Sequence, residues 1–130
     1  MRLPTPEETA ALLAAQPVGL SLGQQIRRGA VQLVTQLVEE DLAELAARWQ
    51  VIAATPALRN RAAEFERTTA AMVLDNLGAA GRRTAGPADA VVAGAYLSAY
   101  TVGLLAWADS GCRRELVDCV EEAFDALESA

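Results

Sequence analysis

Few side chains in this sequence have the types and spacing that catalysis requires. Two acid-containing pairs, Glu64 with Arg67 and Glu115 with Asp118, stand three residues apart, so each pair shares one face of a helix. Charges at that spacing on a polar face are usually solvated. The sequence has no histidine, which removes the commonest general base and every His-containing triad. We therefore expect no enzymatic activity, no metal site and no cofactor.

The two cysteines offer a second kind of chemistry. Cys112 and Cys119 stand seven residues apart, and within one helix that separation is about 10 Å, too far for a disulfide. Reduced thiols are typical of the cytosol, and residues 1–17 show no signal peptide, so we expect a cytoplasmic location. Cys119 either meets a partner subunit and senses oxidation or fills the core as a small apolar residue, and the second interpretation is favoured.

The charge balance limits the partners of the chain. Eleven basic residues stand against 17 acidic ones, for a formal net charge of −6. Binding to a nucleic acid depends on basic side chains that neutralise phosphates. We therefore expect that this chain alone does not bind nucleic acid.

A set of mostly aromatic side chains indicates a site for an apolar molecule. Candidates for the wall of an effector pocket are Trp49, Phe65, Thr69, Met72, Tyr96 and Tyr100. Small-molecule sites are mostly apolar with a few polar groups, and the tyrosine hydroxyls would fix a polar atom of the ligand. The alternative is an ordinary core, in which the hydroxyls of Thr69 and Ser98 bond to their own helix backbone.

The elements that position these residues are helices. A periodicity of about 3.6 residues runs through most of the chain, and strand-like alternation is absent. The sequence therefore predicts an all-α fold of about six helices, with residues 1–130 as a single domain.

Capping residues and glycines predict where the helices begin and end. Thr5, Ser21 and Thr55 are expected to precede the first, second and fourth helices. The fourth helix is expected to end at Leu77 and a glycine-rich loop to occupy residues 78–89. The last helix is expected to begin near Cys112, after Gly111.

The segment from Asp89 to Asp109 carries no charge between these two residues. As a helix it would be about 28 Å long, close to the thickness of a bilayer core. However, arginine pairs flank it on both sides, so there is no positive-inside asymmetry, and the other predicted helices are amphipathic. We expect no membrane association, and instead a helix covered by its own core on one side and by a second copy of the protein on the other.

Residues 48–78, "RWQVIAATPALRNRAAEFERTTAAMVLDNLG", resemble the C-terminal regulatory domain of bacterial TetR-family transcriptional regulators. The junction "IAATPALR", residues 52–59, carries most of the likeness. A glycine and arginine loop, an alanine-rich helix with Trp107 near its end and an acidic last helix follow in the family order. The family's helix-turn-helix module is not seen before "LPTPEE", so DNA binding is expected of a parent protein only.

The resemblance implies a homodimer, joined by the last two helices as a four-helix bundle, and a small, mostly apolar effector in a cavity among the middle helices. Eight residues are then expected at the dimer interface: Val91, Ala95, Val102, Leu105, Leu116, Val120, Phe124 and Leu127. The alternative function is a stand-alone helical dimerisation or interaction module that binds no ligand.

Overall fold

The computed structural model describes residues 5–14, 16, 19–79 and 85–130. In these residues it shows helices and no strand, which confirms the all-α prediction. The six helices are α1 (Pro6–Ala14), α2 (Leu22–Thr35), α3 (Glu39–Ala54), α4 (Pro56–Ala79), α5 (Pro87–Asp109) and α6 (Leu116–Glu128).

The side-chain caps that the sequence predicts are present at α1 and α2. The Ser21 hydroxyl accepts the Gln24 backbone N–H, and the Gln24 side chain accepts the Ser21 N–H, both at 3.3 Å. At α1 the Thr5 hydroxyl accepts the Glu8 N–H at 3.1 Å. These bonds satisfy N–H groups that have no partner within the helix and so fix both starting points.

The junction between α5 and α6 differs from the prediction. The last helix begins at Leu116 and not near Cys112, because Gly111 and Cys112 have left-handed φ angles of 70° and 59°. The Cys112 N–H donates to the Trp107 carbonyl at 3.1 Å, which is the bond of a Schellman turn that closes α5. Cys112 therefore lies in this turn, and only Cys119 lies in α6. Both thiols are free.

The connection between α4 and α5 is shorter than predicted. Helix α4 continues to Ala79 and α5 already begins at Pro87, whereas the loop was expected over residues 78–89. The Gly86 N–H donates to the Asp89 side chain at 2.8 Å, and proline suits the first helical position because its missing N–H would have no partner there. The middle of the predicted loop, residues 80–84, lies outside the described residues.

Helix α5 is the one against which the other helices pack. It contacts α2, α3, α4 and α6 and contributes to both hydrophobic clusters of the core. One cluster joins Leu97 to Ile26 and Val73, and the other joins Leu104 to Phe124. Among the described helices, α5 alone is long and apolar enough to span a bilayer, by length and composition only, and four other helices of the chain pack against it.

One side of α5 is left uncovered by the rest of the described residues. Val91 is 71% exposed and Val102 is 55% exposed. Eleven residues separate them, which is close to three helical turns, so both lie on the same stripe. Ala95 and Leu105, also expected at a dimer interface, are half-buried. This stripe is called the outer face of α5 below.

Most of the residues of α6 that were expected at the dimer interface are buried, unlike those on the outer face of α5. Leu116, Val120 and Phe124 are at most 5% exposed and belong to the chain's own core, so their side chains do not reach the surface of the protomer. The helical period identified their apolar face, but α5 and α2 of the same chain cover that face. Leu127 is half-buried near the end of α6.

The close packing of α5 against α6 at Gly103 gives a first prediction. A Cβ atom at Gly103 would lie 2.8 Å from the Val120 Cα and 3.1 Å from the Cys119 carbonyl oxygen. Because backbone atoms cannot give way as side chains do, Gly103→Ala should lower the free energy of unfolding by about 1–3 kcal/mol in urea denaturation. At Gly19 a Cβ meets no atom of the described residues within 4 Å, so Gly19→Ala is the control and should be neutral or slightly stabilising. Equal effects of the two substitutions would contradict the close approach of α5 and α6.

Candidate functional site

A cavity of about 570 Å³ lies between α3 and α4, and the middle of α5 forms one of its walls. The interior is apolar and its side chains are buried or half-buried: Leu33, Leu37, Leu45, Trp49, Tyr100 and Leu104. Exposed side chains surround the opening: Arg48, Val51, Arg61 and Phe65. The cavity is therefore apolar inside and open to solvent beside two arginines.

The turn at Thr55 places α3 and α4 side by side around this cavity. Thr55 has an extended backbone, with φ −123° and ψ 107°, as a residue before proline prefers. Pro56 then starts α4, and the Arg59 side chain donates to the Ala53 carbonyl across the turn at 2.9 Å. Helical spacing brings the residues on either side of the turn toward one space. Those that line the cavity nearest the turn are Ile52, Leu58 and Ala62.

Four polar side chains contribute to the cavity lining. Thr9 from α1 is 7% exposed, and Arg48 pairs with Glu44 at 3.4 Å. Arg61 stands on the opposite helix at the opening. Burial raises the pKa of Tyr100 to about 12, without any contribution from a charged or hydrogen-bonding neighbour. The Tyr100 hydroxyl is therefore neutral across the physiological range and is a potential donor to a bound molecule.

The structure brings together three of the six predicted pocket residues. Trp49, Phe65 and Tyr100 line the cavity, whereas Thr69 and Met72 do not. Thr69 is fully buried on α4, and its hydroxyl has no hydrogen-bond partner among the residues that the structure describes, so the expected bond to its own helix is not made. Met72 packs instead against the cluster of the core that contains Leu97 and Ile26. Ligand binding by any of the six stays a prediction.

Tyr96 lies one helical turn before Tyr100, but its side chain packs against α6. Its ring stacks on Phe124 at a centroid distance of 5.8 Å, and its hydroxyl donates to Glu128 at 3.1 Å. Arg27 of α2 completes the cluster: it pairs with Glu128 and with Asp125, and its guanidinium lies 5.7 Å from the centre of the Phe124 ring. This cluster links α2 to α6 and leaves Tyr96 outside the cavity.

Sequence reasoning missed the arginines and the leucines of the cavity. The usable signal was the helical spacing on both sides of Thr55: Leu45, Trp49 and Ile52 before the turn, and Leu58 and Phe65 after it. Arg48 and Arg61 stand beside these stripes, but a charge at the edge of an apolar stripe also fits a solvated surface. Only the packing of α3 against α4 places both arginines at one opening.

The fold and the cavity together define a class of protein. The class is an all-α domain with an apolar cavity between its helices. The family model of the MftR C-terminal domain, a TetR-type C-terminal domain, matches residues 20–130. The chain belongs to this family, which confirms the resemblance found in the sequence and supports a regulatory role. Comparisons with curated proteins and with solved structures give no match.

The raised pKa of Tyr100 gives a prediction about alkaline stability. The pKa is about 12 in the folded chain against an ordinary value of 10.0. Between about pH 10 and pH 12 the unfolded chain loses the phenolic proton while the folded chain keeps it, so the free energy of unfolding falls as pH rises. Tyr100→Phe should reduce this fall by about 1 kcal/mol between about pH 9 and pH 11, measured by urea denaturation at each pH. An unchanged pH dependence would show that the hydroxyl is solvated.

Proposed function

We propose that the chain is the effector-binding and dimerisation domain of a TetR-type transcriptional regulator. In this proposal a small, mostly apolar molecule binds the cavity and controls the DNA binding of a helix-turn-helix in the parent protein. The observation that carries it is the apolar cavity of about 570 Å³, which is the size of small-molecule sites and has few polar groups. In this proposal the chain belongs to a cytoplasmic bacterial protein.

The cavity is also placed where an occupant could act on the rest of the fold. Its lining comes from α1, α2, α3, α4 and α5, so a bound molecule would contact five helices at once. Thr9 makes α1 one of them, and α1 packs against α4. A DNA-binding segment attached before α1 would therefore be linked to the ligand through a single helix. Binding would shift the domain toward whichever arrangement of these helices contacts the ligand better.

The proposed dimer uses the outer face of α5. Val91 and Val102 are exposed, and Ala95 and Leu105 lie half-buried beside them. Covering these side chains with the same face of a second copy would remove apolar surface from water, and small residues permit close approach of the two helices. Leu127 is half-buried and stays a candidate for this interface. The core residues of α6 take no part in it.

A ligand-induced rise in the melting temperature tests the effector proposal. A molecule that binds only the folded chain at ten times its Kd stabilises it by about 1.4 kcal/mol, or roughly 3–6 °C in a domain of this size. We expect such a shift with one or more members of a panel of alkanols and aryl alcohols. Ala62→Trp should abolish it, because Ala62 lines the cavity and the indole would fill it, whereas Tm without ligand should change little.

The matched control is Ala71→Trp, an exposed position on the same helix, which should keep the ligand-induced shift. If wild type shows no shift with any compound and Ala62→Trp is strongly destabilised, the space is packed core in solution and the effector proposal is wrong. A dimer without a ligand would then be the remaining function.

A further inference from the structure

The inner part of the cavity is buried and apolar, whereas its opening is exposed and carries charge. The interior is formed by buried and half-buried apolar side chains together with the Tyr100 ring, and Leu104 is only 3% exposed. The two charged residues, Arg48 and Arg61, stand at the opening, one on each of the helices that flank it. An occupant that matches this gradient has an apolar body inside and a charged group at the solvent edge.

The two arginines differ in what they already bind. Arg48 has Glu44 at 3.4 Å as an ion-pair partner on its own helix. Arg59, two residues before Arg61, is turned toward Asp109 at 4.0 Å. Within the described part of the chain no carboxylate lies within ion-pair distance of the Arg61 guanidinium. Arg61 is thus a cation that lies beside an apolar cavity and has no ion-pair partner among the described residues.

We propose that the cavity binds an amphipathic anion, whose apolar body lies against Trp49 and Leu104 and whose carboxylate pairs with Arg61 at the opening. The proposal rests on the effector-binding function and adds the charge of the ligand. A guanidinium presents several N–H donors in a planar fork that suits a carboxylate. A cationic ligand would instead face two arginines, and a neutral one would leave Arg61 unpaired.

The overall acidity of the chain does not oppose this assignment at short range. The formal net charge is −6, which repels an anion at a distance, but at physiological salt such repulsion is screened beyond about 8 Å. The contact with Arg61 acts within that distance. Higher ionic strength should therefore weaken the binding of the anion and leave the binding of a neutral analogue nearly unchanged.

Three probes with one apolar body and different heads test the proposal: decanoate, decanamide and decylammonium. Their affinities are measured by isothermal titration calorimetry, near pH 7, for wild type, Arg61→Gln and Arg67→Gln. Arg67 is exposed on the same helix and is not part of the cavity lining, so its substitution makes the same change in net charge elsewhere. Wild type should bind decanoate about fivefold more tightly than decanamide, and decylammonium most weakly.

Arg61→Gln should reduce the affinity for decanoate about fivefold and leave that for decanamide within about twofold, while Arg67→Gln changes neither. Equal binding of decanoate and decanamide by wild type, or equal losses of both in Arg61→Gln, would overturn the anion assignment and leave the effector function standing. Binding of none of the three probes would overturn the anion assignment and count against the effector function as well. The comparison of probes on wild type decides even if Arg61→Gln fails to fold.

Discussion

The fold depends on covering a long helix that carries no charge between Asp89 and Asp109. A helix that is apolar on every side must be buried on every side, and a chain of 130 residues has few elements with which to do so. Four helices pack on α5, and their apolar stripes become the two clusters of the core. What they leave uncovered is the outer face, where Val91 and Val102 stay exposed.

The size of the residues along α5 decides how closely each neighbour approaches. Gly103 lets the α6 backbone come so near that a methyl group would clash, and the two helices share a tight core. On the cavity side Tyr100 and Leu104 stand opposite α3 and α4. These two helices are joined by the single extended residue Thr55, and the space between them is filled only in part. One helix thus supports dense packing on one side and a cavity on another.

Much of this architecture could be predicted from the sequence, because local rules determine it. Periodicity and caps predicted the six helices, and Thr55 with Pro56 predicted where the fourth helix begins. Periodicity identifies an apolar face but not what covers it. It therefore grouped Tyr96 with Tyr100, although Phe124 and Glu128 hold Tyr96 against α6. It also assigned Phe124 to a partner, although its own chain buries it. The late start of α6 depends on two left-handed residues, which glycine suggests and cysteine does not.

We propose that a second copy of the chain covers the outer face of α5, and sedimentation equilibrium tests this proposal most directly. The wild type should have twice the chain mass of 13.7 kDa, and Val102→Glu should be mainly monomeric, because a carboxylate would be desolvated in the interface. Val38→Glu is the matched control, since Val38 is similarly exposed, at 51%, before α3, and it should stay dimeric. A folded wild type with the mass of one chain, or a Val102→Glu variant that remains a dimer, would contradict the account.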